Sequence, residues 1–165
     1  MADETLPQPD VAGLLAKEAI REVVYRELDA WRRRDWEAAR ACYVPGARAD
    51  LGCDAERTIE AQLEHLAQAL RGVAASTLLA SNCRIELAAG SARSSALVLA
   101  AHEPRAESGE RTRLEALCAV DAWALEADGI WRISGRTLET LWKAWLDPRR
   151  DDRAGDHRHA KEWEA

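Results

Sequence analysis

The 165-residue chain contains no phenylalanine, one methionine and no apolar run of the roughly 20 residues that a membrane span needs. Its first ten residues, MADETLPQPD, are acidic and polar and lack the apolar core of a signal peptide. We therefore expect a cytoplasmic protein that has no membrane partner.

Cysteine pairs and clustered positive charge are also scarce. The four cysteines are widely spaced without a CxxC pair, and no histidine stands at ligand spacing to them, so neither a disulfide framework nor a metal site is indicated. The net charge of −6 argues against nucleic acid as a partner. The one run of cations, residues 32–34, is interpreted as a solvated helix end, where positive charge suits the helix dipole. No glycine-rich phosphate loop is present, so no cofactor is expected.

Seven tryptophans provide the large apolar side chains that phenylalanine does not. Apolar residues make up 47% of the chain and charged residues 32%, a composition typical of one globular domain. We expect a disordered lead at residues 1–9, the domain at 10–146 and a charged tail at 147–165.

The first half of the chain has helical periodicity. Apolar residues recur every three or four positions over residues 10–34 and again over 57–71. Asp35 is placed to cap a short helix at 36–43, which the turn at 45–46 would end before a short strand at 47–51.

After Gly72 the period changes to that of strands. Long strands are predicted at residues 77–87, 92–102, 113–125 and 130–142, joined by turns at Gly90 and Gly129 and by a polar loop. Three helices followed by an antiparallel meander indicate an α+β fold, with a curved sheet that has helices across one face. A small molecule would bind in the cone between the helices and the sheet.

Three segments carry a family resemblance. The segment LDAWRRRDWEAARACYVPGARADLG resembles the first part of the SnoaL-like family of the nuclear transport factor two-like superfamily. VDAWALEADGIWRIS resembles the late hairpin of that superfamily, and ASNCRIELAAGSARSSALVLAAH its middle hairpin. The resemblance covers about residues 12–145. It implies a cone-shaped curved antiparallel sheet wrapped by three N-terminal helices, and a homodimer that packs through the exposed sheet face.

The resemblance also implies a function. The superfamily includes polyketide cyclases, ketosteroid isomerases, dehydratases, epoxide hydrolases and binding modules, so we expect a cofactor-independent acid–base enzyme acting on an apolar cyclic or polyketide-like molecule. A carboxyl group buried in an apolar cone has a raised pKa and can serve as an acid or a base near neutral pH. Two alternatives stay open: a non-catalytic binding or dimerisation module, and a small subunit of an oxygenase-like complex, whose cone would be filled.

Asp121 is the first catalytic candidate. It lies in the middle of a strand among apolar residues, where a charge is costly unless it is paired or neutral. By the resemblance it matches the hydrogen-bond-donating aspartate of the isomerases. The alternative is a structural ion pair with Arg132 or Arg136 across the hairpin.

Three further residues are catalytic candidates. Asp50 ends the short strand near the place of a base in related enzymes, although the isomerase alignment falls one residue later, on Leu51, which would face the other side of the strand. His102 ends a long strand and is predicted to be either a proton shuttle with a pKa near neutrality or a residue exposed at the strand end, since Glu103 and Pro104 follow it. Tyr25 lies on the first helix, where the superfamily often places a tyrosine that polarises a carbonyl.

Four residues are candidates for substrate binding. Trp31 and Trp123 are interpreted as pocket residues that stack on a flat ligand. Asn82 matches an asparagine of the middle hairpin, and Leu78 occupies the position at which dehydratase-like relatives carry a histidine. His65 is expected on the surface or at the rim of the pocket.

The rival functions predict different arrangements of the candidate residues. An enzyme should bring two or more of Asp50, His102 and Asp121 to one closed apolar pocket, whereas a binding module would have a pocket without that convergence.

Overall fold

The computed structural model describes residues 10–52, 55–105 and 111–146, so the expected lead and tail lie outside the described residues. Six strands form one curved sheet in the order β2-β1-β6-β5-β4-β3, preceded or flanked by three helices. This is the predicted α+β fold. The elements are α1 (Val11–Arg33), α2 (Trp36–Arg40), β1 (Tyr43–Asp50), β2 (Arg57–Thr58), α3 (Ile59–Ala69), β3 (Val73–Ala88), β4 (Ser91–Pro104), β5 (Thr112–Leu125) and β6 (Trp131–Leu146). None of the described helices is both long and apolar enough to cross a membrane.

The C-terminal end of α1 separates the three consecutive arginines. Arg34 adopts the left-handed conformation, with φ 62° and ψ 27°, which is uncommon for a residue with a side chain. Arg32 and Arg33 are exposed and pair with Asp29, whereas the Arg34 side chain is partly buried and reaches Ser76. The prediction of a solvated helix end is therefore wrong for Arg34.

The segment after α1 differs from its prediction. Asp35 caps α2 as expected, since its carboxylate accepts a hydrogen bond from the Ala38 N–H at 3.0 Å. Pro45 and Gly46, however, lie inside β1 and not in a turn that ends the helix. They occupy an irregularity in the pairing of β1 with β6, because proline cannot donate to the ladder and Gly46 has a positive φ of 73°.

The four long strands are antiparallel neighbours, as predicted, with ends that differ by a few residues. Two features of the sheet were not predicted. The strand β1 pairs in parallel with β6, and the two-residue strand β2 forms the edge beside β1.

The core lies between the helices and one face of the sheet. It includes Ile20, Val24 and Leu28 of α1, Ile59 and Leu63 of α3, and Trp123 and Ile133 of the sheet. The opposite face exposes apolar side chains at Leu79 and Leu99, which pair across β3 and β4, and at Trp142 on β6. A homodimer through that face stays a prediction.

A buried ion-pair network joins α1 to the sheet. Arg136 on β6 donates hydrogen bonds to Asp121 on β5, with Nε 2.5 Å from Oδ1 and Nη2 3.0 Å from Oδ2. Its Nη1 donates to Glu27 on α1, which also accepts from the Tyr43 hydroxyl on β1. The Ser94 hydroxyl on β4 donates to Asp121 at 3.2 Å. One guanidinium thus connects β6 to four other elements of the fold, directly or through one carboxylate.

The electrostatics of the network follow from its burial. Burial raises the pKa of the Glu27 carboxyl, against the opposing effects of Arg136 and Tyr43. Burial alone would lower the pKa of Arg136, but Asp121 and Glu27 raise it well above its usual value. Arg136 therefore stays charged and is the cation that makes the two buried acidic groups tolerable.

Replacing Arg136 with Met is expected to lower the free energy of unfolding by about 3–5 kcal/mol, because it leaves Asp121 and Glu27 buried without their cation. Urea denaturation measures the change. The matched control is Arg132→Met, which removes an exposed ion pair with Asp128 on the same hairpin and should leave the free energy of unfolding nearly unchanged. Similar small losses in both variants would contradict a structural role for the network.

Candidate functional site

A cavity of about 170 Å³ lies between the end of α1, the helix α3 and the inner face of the sheet. An apolar protein cavity of roughly 150 Å³ can hold benzene, so this one has room for a single six-membered ring. Most of its wall is apolar and includes Trp31, Leu51, Leu66, Leu70, Leu78, Val98, Leu117 and Leu138.

One wall of the cavity is polar and centres on His102. The Nδ1 atom of His102 lies 2.9 Å from the Ser76 hydroxyl, which is its direct partner on β3. The Nε2 atom lies 4.0 Å from a carboxylate oxygen of Glu115 on β5. Glu115 also contacts Arg113, and its second oxygen lies 3.9 Å from the Lys143 ammonium. Three adjacent strands therefore bring a hydroxyl, an imidazole and a carboxylate together.

Arg34 completes the polar wall from the helical side. Its Nη2 donates to the Ser76 hydroxyl oxygen at 2.9 Å, and its Nη1 donates to the backbone carbonyl of Trp31 at 2.8 Å. The left-handed backbone of Arg34 turns its side chain to this position.

The surroundings of His102 keep its ring neutral. Burial lowers the pKa of His102 to about 4, and the positive charges of Arg113 and Arg34 act in the same direction. This differs from the predicted pKa near neutrality. At pH 7 the ring carries one N–H and one lone pair. When Nδ1–H donates to the Ser76 oxygen, the lone pair is on Nε2.

The four predicted catalytic residues occupy different environments, and of these four only His102 lines the cavity. Asp121 lies in the buried network with Arg136, which is the structural alternative considered from the sequence. Asp50 accepts a hydrogen bond from the Gly52 N–H at 3.0 Å. Tyr25 is 47% exposed on α1. Two or more of Asp50, His102 and Asp121 therefore do not converge on the closed apolar cavity, although Asp50 and Asp121 both line a separate, more open pocket.

The position of Asp50 has a simple physical cause. Ala47, Ala49 and Leu51 alternate as the buried residues of this segment, so Asp50 points to the other side of the strand. Leu51 is the residue that lines the cavity, which agrees with the one-residue offset noted in the family alignment.

The predicted binding residues are also divided. Trp31 and Leu78 line the cavity, and the exposed His65 lies at its rim. Trp123 is 1% exposed in the core, where its indole N–H donates to Ser94 at 2.9 Å. Asn82 is exposed at a bulge of β3 with φ 52°, a conformation that asparagine tolerates better than most residues.

Arg34, Ser76 and Glu115 were missed by the sequence reasoning. Glu115 had a signal, because it shares the inward alternation of Leu117 and Asp121 along β5 and a charge at an inward position is unusual. For Ser76, the only signal was its position directly opposite His102 in the strand pairing. Arg34 had no signal, because neither glycine nor asparagine marks its left-handed turn.

The described cysteines have no apparent chemical role at this site. Cys42, Cys83 and Cys118 are unpaired thiols, and burial raises the pKa of Cys42 to about 11. Among residues 10–52, 55–105 and 111–146, no three His, Cys, Asp or Glu side chains are grouped as metal ligands.

His102 is expected to make the stability of the protein depend on pH. Its pKa is about 4 in the folded chain against an ordinary value of 6.5, so its contribution is fully present above pH 6.5 and is lost as the pH falls towards 4. The loss is roughly 1–2 kcal/mol once solvent screening is allowed for. Urea unfolding between these pH values should show a shallower dependence for His102→Gln than for the wild type. An NMR titration midpoint of the ring near 6.5 would contradict the burial of His102.

The fold has many counterparts among solved structures. The family model described as a SnoaL-like domain matches residues 12–137. A candidate scytalone dehydratase from Novosphingobium aromaticivorans DSM 12444 superposes with a TM-score of 0.73 at 18% identity, over 83% of this chain and 91% of that chain. LinA gives 0.71 at 18% identity, over 82% and 92%. Hexachlorocyclohexane dehydrochlorinase LinA-type3 from Novosphingobium barchaimii LL02 gives 0.72 at 15% identity, over 85% and 96%.

At these identities the structural neighbours share the fold, and no curated protein has a significantly matching sequence. The family match covers most of the chain and includes nearly all of the first helix, β3 to β5, the first part of β6 and most of the cavity wall. The chain therefore belongs to the SnoaL-like family of the nuclear transport factor two-like superfamily.

Proposed function

We propose that this protein is a cofactor-independent acid–base enzyme that moves a proton on a small, mostly apolar, single-ring substrate. The observation that carries the proposal is a neutral His102 on the wall of an apolar cavity, held by Ser76 at 2.9 Å. The names of two structural neighbours, a dehydratase and a dehydrochlorinase, denote the loss of water and of hydrogen chloride. Both are reactions that begin or end with a proton transfer.

In the proposed reaction His102 is the base. With Nδ1–H donating to Ser76, the lone pair on Nε2 accepts a proton from a substrate C–H. The electron pair left behind forms a double bond as a leaving group on the neighbouring carbon departs with its bonding pair, or it delocalises into an adjacent carbonyl until the imidazolium returns a proton to carbon. Glu115 lies 4.0 Å from Nε2 and stabilises the imidazolium that forms. Arg113 and Lys143 also contact Glu115 from the two neighbouring positions of the polar wall.

Binding without catalysis is a second candidate function, and two observations favour it. A pKa of about 4 makes His102 a weak base while the site is empty. Leu78 stands in the cavity wall at the position where dehydratase-like relatives carry a histidine. The third alternative, a subunit with a filled cone, is less well supported, because the described residues leave a cavity.

Proton exchange in D₂O separates the first two functions. The panel consists of single-ring ketones and of rings that carry a hydroxyl or a chlorine beside an acidic C–H, followed by ¹H NMR. The wild type is expected to exchange or eliminate on at least one compound, and His102→Gln should lower that rate at least about 100-fold. The control, Glu103→Gln, changes the exposed next residue of the same strand and should keep the wild-type rate.

Two outcomes would contradict the proposal that the protein is an enzyme. A compound that reacts equally fast with wild type and His102→Gln would remove His102 from the chemistry. Compounds that bind in the cavity but show neither exchange nor elimination would favour the binding module.

A further inference from the structure

Arg34 is a cavity cation whose contacts are all neutral. Its two hydrogen bonds go to the Ser76 hydroxyl oxygen and the Trp31 carbonyl oxygen. Within the described part of the chain, no carboxylate lies within ion-pair distance of its guanidinium. Burial disfavours the charged form of Arg34 and lowers its pKa. A partly buried cation without a counter-ion is costly for the folded protein.

The other charges of the cavity do not compensate Arg34. Arg113 and Lys143 both contact Glu115, the one carboxylate among the described residues that line the cavity. The lining therefore carries three cations and one anion, although the whole chain has a net charge of −6. An acidic protein that gathers excess positive charge around an apolar cavity is suited to an anionic ligand.

The guanidinium has unused donors for such a ligand. Arginine has five N–H groups in a planar fork, and among the described contacts Arg34 uses two of them. The planar fork matches the two oxygens of a carboxylate, which can accept parallel hydrogen bonds from it. The apolar wall beside it, which includes Leu78 and Val98, would take the remainder of the molecule.

We propose that the cavity binds a single-ring molecule carrying one carboxylate, which pairs with Arg34 while the ring packs against the apolar wall. This inference rests on the proposed function in that it names the substrate class of the same site. It also adds a link to the chemistry, because neutralising Arg34 removes one of the two positive charges that oppose protonation of His102. A bound carboxylate thus makes His102 a stronger base.

Calorimetric titration at pH 7 with benzoate, and with benzamide as its neutral counterpart of the same shape, tests the proposal. The wild type is expected to bind benzoate at least tenfold more tightly than benzamide. Arg34→Gln should weaken benzoate binding at least tenfold and leave benzamide binding unchanged. The matched control is Arg33→Gln, which changes the adjacent exposed arginine that pairs with Asp29, and it should bind benzoate like the wild type.

A second readout does not depend on a soluble Arg34→Gln variant. Saturation with benzoate should raise the NMR titration midpoint of His102 in the wild type by about one pH unit or more, whereas benzamide should not. Arg34→Lys, which keeps the charge without the fork, should bind benzoate with intermediate affinity.

Several results would overturn the proposal: equal binding of benzoate and benzamide, benzoate binding that Arg34→Gln does not weaken, or no binding of benzoate or cyclohexanecarboxylate. These results are distinct from failure of the enzyme. Carboxylate binding through Arg34 without proton exchange would sustain the ligand class and reject catalysis. Proton exchange that depends on His102 but occurs only with uncharged rings would sustain catalysis and reject the carboxylate ligand.

Discussion

The position of the Arg136 guanidinium is the constraint on which the rest of the structure depends. It binds Asp121 on the neighbouring strand and Glu27 on α1, and all three side chains are buried. A buried charge is tolerable when it is paired, so α1 cannot slide or rotate on the sheet without exposing an uncompensated group. Trp31 follows Glu27 by four residues and lies on the same helix face, and Arg34 caps the end of the helix three residues later. Fixing Glu27 therefore fixes where the helix contributes to the cavity.

The inner face of the sheet carries two clusters of polar side chains, and the balance of positive and negative charge differs between them. In the deeper group, Asp121 and Glu27 both accept hydrogen bonds from Arg136, and all three side chains are buried. In the cavity group, Ser76, His102 and Glu115 line open space, and Arg34 adds a cation with neutral neighbours. Saturated polar groups rigidify a core, whereas a group with unused donors and a lone pair can interact with a ligand. The apolar residues between them separate a structural role from a binding role.

The sequence was sufficient for most of the fold, because helical and strand periodicities are local properties of the chain. The parallel pairing of β1 with β6 was missed, since it depends on which distant strand is adjacent and no local pattern records that. For the site, His102 was predicted from its place at the end of a long strand and Trp31 as a tryptophan that stacks on a flat ligand, and both line the cavity. Asp121 has the burial expected of a catalytic acid, but its partner Arg136 is set by the register of the hairpin. Arg34 was interpreted as solvated because a single left-handed residue leaves no trace in composition.

The distribution of charge around His102 bears on how the proposed site would choose its substrate. Shape alone discriminates poorly in a small apolar cavity, where one methylene changes affinity only modestly. Charge adds a second criterion here, because Arg113 and Arg34 both oppose protonation of the imidazole. An uncharged ring leaves that opposition in place and faces a weak base. A substrate carboxylate bound to Arg34 would cancel part of the positive charge that opposes protonation of His102. The contact that holds the substrate would then also make His102 a stronger base. In this arrangement binding and reactivity are coupled through one guanidinium, and selectivity follows from electrostatics more than from fit.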